Sequence, residues 1–203
     1  MKRQSIIVSA LLCLNLCTLS AQTANAILDN FIETVESNTL VTDITMSIAE
    51  KAAQPISYSG KLQLRGEQFI LSIFGTEAAY DGKTLYLYSA DTDELTLTYP
   101  TEEELLEVNP VLFAKALRLK ADVRFSAANK SQDIYSIDII PHAKEAGISK
   151  FVIKLHKTTY LPQEITVTED TQTSKLLFRN TDFSPTPPQC TITKPDAFLN
   201  DLR

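Results

Sequence analysis

Tyr80-Asp81-Gly82-Lys83-Thr84-Leu85-Tyr86-Leu87-Tyr88-Ser89-Ala90-Asp91-Thr92-Asp93-Glu94-Leu95-Thr96-Leu97-Thr98-Tyr99-Pro100 sets the architecture of this chain. Asp81-Gly82 is a hairpin signal, because a two-residue type I′ turn needs positive φ at both central positions. The run Thr84 to Tyr88 is β-branched and aromatic and contains no breaker. Asp91 to Asp93 marks a second turn. Leu95, Leu97 and Tyr99 then alternate with Glu94, Thr96 and Thr98, the period of a half-buried strand. The middle of the chain therefore reads as an antiparallel meander with one apolar and one polar face.

Upstream, the same period runs through Ile44, Met46 and Ile48, then through Ile56, Tyr58, Gly60, Leu62 and Leu64, and again through Phe69, Leu71 and Ile73. Gly60 inside a strand predicts a bulge or sharp bend that curls the sheet. Before the strands, Ile27, Leu28, Phe31, Ile32 and Val35 form one apolar stripe at helical spacing, predicting a helix over Ala24 to Ser37. Downstream, Thr101-x-x-Glu104 is a capping box, and Asn109-Pro110 pairs an N-cap with a proline at the first helical position. The helix this starts, Val111 to Lys120, interrupts an otherwise continuous series of strands. Alternation resumes around Val123, Tyr135, Phe151, Ile165 and Leu177, and Thr191-Ile192-Thr193 is expected to add a short edge strand. About eleven strands make a sheet too wide to stay flat.

At the N-terminus, Lys2-Arg3, the apolar run Ile6 to Leu19 and the small pair Ser20-Ala21 have the pattern of a secretory signal peptide cleaved after Ala21. The expected organisation is a signal over 1–21 and one domain over 22–203. Leu12 before Cys13 and Leu16 before Cys17 do not suit lipid modification, so a soluble exported monomer is expected. Cleavage would leave Cys190 alone, with no internal disulfide. It would also remove two of the 19 basic residues and none of the 25 acids, taking the net charge from −6 to −8. An acidic chain without a basic cluster argues against nucleic acid and against permanent residence on an anionic membrane.

No catalytic constellation is legible. His142 and His156 have no neighbours at metal-ligand spacing. No nucleophile elbow or phosphate-binding glycine loop occurs, and Cys190 has no motif-level partner. The expectation is a non-enzyme without a cofactor.

Three segments carry a family resemblance. The Asp81-Gly82-Lys83-Thr84-Leu85 hairpin with its acidic turn and Leu-Thr-Leu-Thr strand, the Gly60 to Phe69 glycine-strand-basic-x-x-x-Phe pattern, and Asn109-Pro110-Val111-Leu112-Phe113 occur in order over Gly60 to Leu117. Together they resemble the LolA-type periplasmic lipoprotein carriers. Tyr86 stands where that family has tryptophan, and Gly66 where it has proline. The resemblance implies a mainly β fold, a curved incomplete antiparallel barrel with short helices covering the concave face. It implies a periplasmic carrier that binds the acyl chains of lipoproteins and moves them from inner to outer membrane. A lipid- or lipoprotein-sensing module on the same fold is the alternative. The implied partners are acylated lipoproteins, an inner-membrane lipoprotein-releasing transporter and an outer-membrane receptor. The implied acyl-binding groove and lid use Leu62, Phe69, Leu71, Leu112, Phe113 and Leu117, with Arg65 reaching helix groups to lock the lid.

Overall fold

A computed structural model describes residues 23–50, 53–127, 131–143 and 147–203. The expected signal segment, Cys13 and Cys17 lie outside the described residues. Helix α1 (Ala24–Ser37) is followed by strands β1 (Thr39–Glu50), β2 (Ile56–Arg65), β3 (Gln68–Ile73), β4 (Thr76–Tyr80), β5 (Leu85–Ser89) and β6 (Glu94–Thr98). Helices α2 (Glu102–Val108) and α3 (Pro110–Leu117) and a 3-10 turn (Arg118–Lys120) come next. Strands β7 (Ala121–Phe125), β8 (Ile134–Pro141), β9 (Ile148–His156), β10 (Pro162–Glu169), β11 (Gln172–Ser184) and β12 (Phe198–Asp201) follow.

The described strands form one twelve-stranded sheet in the order β12-β6-β5-β4-β3-β2-β1-β11-β10-β9-β8-β7. The two ends of this order do not pair, so the barrel is incomplete, as expected for a LolA-like fold. β1 joins the two meanders by pairing with β2 on one side and β11 on the other. Among the described residues every pairing is antiparallel except β12 on β6, which is parallel.

The helices fill one face. Ile27, Leu28, Phe31, Ile32 and Val35 of α1, Leu105 of α2, and Val111, Ala114 and Leu117 of α3 are buried in one core. Leu40, Ile44, Leu62, Leu64, Phe69, Ile137, Phe151, Ile153 and Ile165 of the sheet complete it. The helix starts form as their sequences predict. Thr101 and Glu104 bond reciprocally, the Thr101 amide donating to Oε2 at 2.7 Å and the Glu104 amide to Oγ1 at 3.3 Å. Asn109 Oδ1 accepts from the amides of Val111 and Leu112 at 3.1 and 3.0 Å.

The opposite face of β3–β6 is also covered. The chain after β11 crosses it, burying Cys190 and Ile192 against Ala79, Leu95 and Leu97. Thr191-Ile192-Thr193 is therefore packing rather than an edge strand. The edge belongs to β12, whose Phe198 amide donates to the Asp93 carbonyl at 2.9 Å.

Two turn expectations are corrected. Asp81-Gly82 is not a type I′ pair, since Gly82 has φ +100 but Asp81 does not have positive φ. Asp81 instead caps a longer turn, its Oδ1 accepting from the amides of Lys83 and Thr84 at 2.8 and 2.7 Å. The pair with positive φ at both positions is Phe74-Gly75 (+60 and +72), which joins β3 to β4. Gly60 also makes no bulge: β2 keeps continuous register with β1 and β3. The glycine is needed for close approach, because a Cβ there would sit 2.2 Å from the Ser72 carbonyl oxygen. The register shift lies between Val41 and Asp43, where β11 carries an extra residue near Asn180 (φ +50).

Candidate functional site: a half-covered apolar floor

Strand β1 has 12 residues and β11 has 13, whereas α1 has 14. At about 3.3 Å per strand residue and 1.5 Å per helix residue, the strands run close to twice the helix length. The helices therefore cover only part of the concave face. Burial follows that geometry. Leu40 and Ile44 of β1, Leu62 and Leu64 of β2, and Phe69 of β3 are buried. Further along the same faces, Met46, Ile48, Tyr58, Leu71, Ile73 and Leu176 are only half-buried.

Register brings these six together. Met46 lies opposite both Tyr58 and Leu176. Ile48 lies opposite Ile56, and Gly60 opposite Ile73. Leu71 sits across from Leu62, at the border with the covered core. Directly opposed residues share a sheet face, so the result is a continuous apolar floor beside the helix layer. Exposed apolar patches of this continuity mark binding surfaces more often than isolated apolar residues do.

The expected site residues divide across this border. Leu62, Phe69 and Leu117 are buried in the core. Leu71 belongs to the open floor. Leu112 and Phe113 are half-buried on α3, with the Phe113 ring 5.7 Å from that of Phe151 on β9. Met46, Ile48 and Tyr58 are floor residues that the sequence does not single out, although their alternation is legible.

The hydrogen bond that Arg65 makes among the described residues is not to the helix groups expected. Its Nη1 donates to the Pro185 carbonyl at 3.2 Å. The neighbouring residue makes the helix contacts through its backbone, in a turn whose positive φ (+57) favours glycine. The Gly66 amide donates to the Val35 carbonyl of α1 at 3.0 Å, and the Gly66 carbonyl accepts from Asn109 Nδ2 at 3.0 Å. Charge also joins the helices. Lys115 of α3 pairs with Glu36 of α1, and Arg118 of the 3-10 turn pairs with Asp29. Arg118 Nε is buried without a hydrogen-bond partner, so this second tie is incompletely satisfied.

These contacts rank the helices. Burying an apolar side chain of this size is worth roughly 1.5–3 kcal/mol, and α1 buries five of them completely or nearly so. α3 leaves Leu112 and Phe113 half-buried. The α2–α3 pair is thus the less firmly held part of the helix layer.

Among the described residues, no group of three His, Cys, Asp or Glu side chains is placed to hold a metal. Burial, followed by the Asp81 charge, pushes the Cys190 thiol up to about 11, the opposite of an activated nucleophile. Among the described residues no helix is long and apolar enough to cross a membrane.

Three solved structures align with the chain. An uncharacterised conserved protein from Thermus thermophilus aligns with a TM-score of 0.59 at 11% identity, over 89% of this chain and 99% of that one. A LolA superfamily protein from Nitrosomonas europaea aligns with a TM-score of 0.43 at 10% identity, over 82% and 96% of the two chains. A putative outer membrane lipoprotein-sorting protein domain from Vibrio parahaemolyticus gives 0.42 at 10%, over 82% and 94%. No curated protein sequence matches the chain. Residues 78–190, more than half of the 203, match the family described as outer membrane lipoprotein carrier protein LolA, and the chain belongs to that family.

Proposed function

We propose that this protein is a periplasmic carrier that takes up the acyl chains of lipoproteins and moves them from the inner to the outer membrane. The observation that carries the reading is the half-buried floor of Met46, Ile48, Tyr58, Leu71, Ile73 and Leu176, together with the less firmly held α3 of the helix layer. Each methylene transferred from water is worth roughly 0.8 kcal/mol, so sealing several acyl chains completely would prevent their release. A carrier needs partial cover and a wall that can yield. The floor gives the first, and Leu112 and Phe113 on α3 the second.

On this reading acyl chains occupy the floor and displace α3, and Leu112, Phe113 and Leu117 follow them as an apolar lid. Lys115–Glu36 and Arg118–Asp29 are the ties that open. Arg65, through Pro185, steadies the hairpin on which Gly66 holds both helices. The partners are the acylated lipoprotein, an inner-membrane transporter that releases it and an outer-membrane acceptor. The Lys2-Arg3, Ile6–Leu19 and Ser20-Ala21 pattern supports export by a cleaved signal, leaving residues 22–203 as the carrier domain.

Mass spectrometry of the protein isolated from its native periplasm tests the function. Acylated cysteine peptides in the bound fraction are the expected result. Free lipids alone would replace the carrier reading with a lipid-sensing module.

A further inference from the structure

The β3–β4 turn is strained in an unusual way. Its first central residue, Phe74, has φ +60, a conformation that suits Asn or Gly and that a bulky side chain adopts at a cost. Burial does not compensate, since Phe74 is 46% exposed. Its ring lies against Tyr58, with centroids 3.7 Å apart. Ile56, two residues before Tyr58 on β2, is 57% exposed. All three stand where the apolar floor runs out: Phe74 follows Ile73, Tyr58 faces Met46, and Ile56 faces Ile48.

The charges around this tip include three acids, of which one is paired with a lysine. Glu50 lies just beyond the Ile48–Ile56 pair. Asp91 follows Ala90, whose amide donates to the Gly75 carbonyl at 3.0 Å. Glu77 is tied to Lys194 at 2.7 Å.

We propose that Ile56, Tyr58 and Phe74 form a bilayer-contact tip, which dips into the interface of a neutral, zwitterionic phospholipid surface at the open end of the floor. Three partly exposed side chains offer at most a few hundred Å². That is below the roughly 600 Å² that each partner gives to a small stable protein interface, so neither a second copy nor a folded partner is favoured. A bilayer interface sets no such minimum, and aromatic side chains with polar edges partition to it. The acids at the rim and the net charge of −6 disfavour anionic lipid, so contact is weak and reversible. The inference concerns the bilayer itself and stands whether or not acylated protein is the cargo.

The chain has no tryptophan, so Phe74→Trp places a single reporter at the tip. Its emission should shift to the blue with phosphatidylcholine–phosphatidylethanolamine vesicles, and the unsubstituted protein should cosediment with them. Phe74→Asn creates a relaxed Asn-Gly type I′ turn. It should leave the thermal midpoint unchanged or higher and weaken vesicle binding about tenfold, as expected for loss of one aromatic anchor. The proposal is overturned by an unshifted emission, by binding to phosphatidylglycerol vesicles alone, or by undiminished binding of Phe74→Asn. A lowered midpoint in Phe74→Asn would also overturn it, showing that Phe74 serves only to clamp Tyr58.

Discussion

Asn109, buried between α2 and α3, donates from Nδ2 to the carbonyl of Gly66 at 3.0 Å, while its Oδ1 caps α3. One side chain therefore starts the lid helix and pins it to the β2–β3 hairpin. The two roles use opposite ends of the amide and can be separated by substitution.

Asn109→Asp keeps the capping oxygen but turns the donor into an acceptor that faces the Gly66 carbonyl. Asn109→Ala removes both. Loss of a cap costs about 1 kcal/mol, and a buried carbonyl left unpaired about 1–3 kcal/mol more. Urea unfolding should show both variants destabilised. If the pin holds the lid, Asn109→Asp should also admit hydrophobic dyes more readily than the unsubstituted protein at equal temperature. Equal dye uptake would remove Asn109 from the lid.

Phe31 and Phe113 give a matched comparison. Phe31 on α1 is fully buried, whereas Phe113 on α3 is half-buried against Phe151. Phe31→Ala should cost about 3–5 kcal/mol. Phe113→Ala should cost clearly less and should lower acyl-chain binding. A Phe113→Ala loss as large as that of Phe31→Ala, with binding intact, would make α3 a fixed part of the core.

The polar face has its own pH signature. Burial raises the Glu164 carboxyl, but the hydrogen bond and charge of Lys154 at 2.9 Å, with Lys175 at 3.7 Å, outweigh it and hold the group below its ordinary value. A carboxylate depressed in the folded state contributes stability above its unfolded pKa, which is lost as pH falls through the folded one. The stability difference between the unsubstituted protein and Glu164→Gln should be constant from neutral pH down to about pH 5 and shrink below about pH 4. A difference that grows toward acid would contradict this placement.

Much of this arrangement is legible in local sequence, and the failures have physical causes. The α1 stripe, the Thr101 capping box and the Asn109-Pro110 start are signals within a few turns of chain, and all form as read. Strand β4, Thr-Glu-Ala-Ala-Tyr, has no alternation because Ala78 and Ala79 are buried on opposite faces of a sheet covered on both sides. β12 escapes a local reading because its parallel pairing with β6 joins residues about a hundred positions apart. The period of two shows which residues share a face, but not how far the helices reach along it. For that reason sequence points to Leu62 and Phe69, which lie beneath the helices, and passes over Met46, Ile48 and Tyr58, which lie beyond them.

Titration of a triacylated cysteinyl peptide into the protein, followed by calorimetry, tests the acyl-binding floor most directly. Ile48→Asp and Met46→Asp place a carboxylate on the half-buried floor, and each should abolish saturable binding while the urea midpoint stays close to that of the unsubstituted protein. Binding by both variants at undiminished affinity, or none by the unsubstituted protein, would show that the floor is not where acyl chains are held.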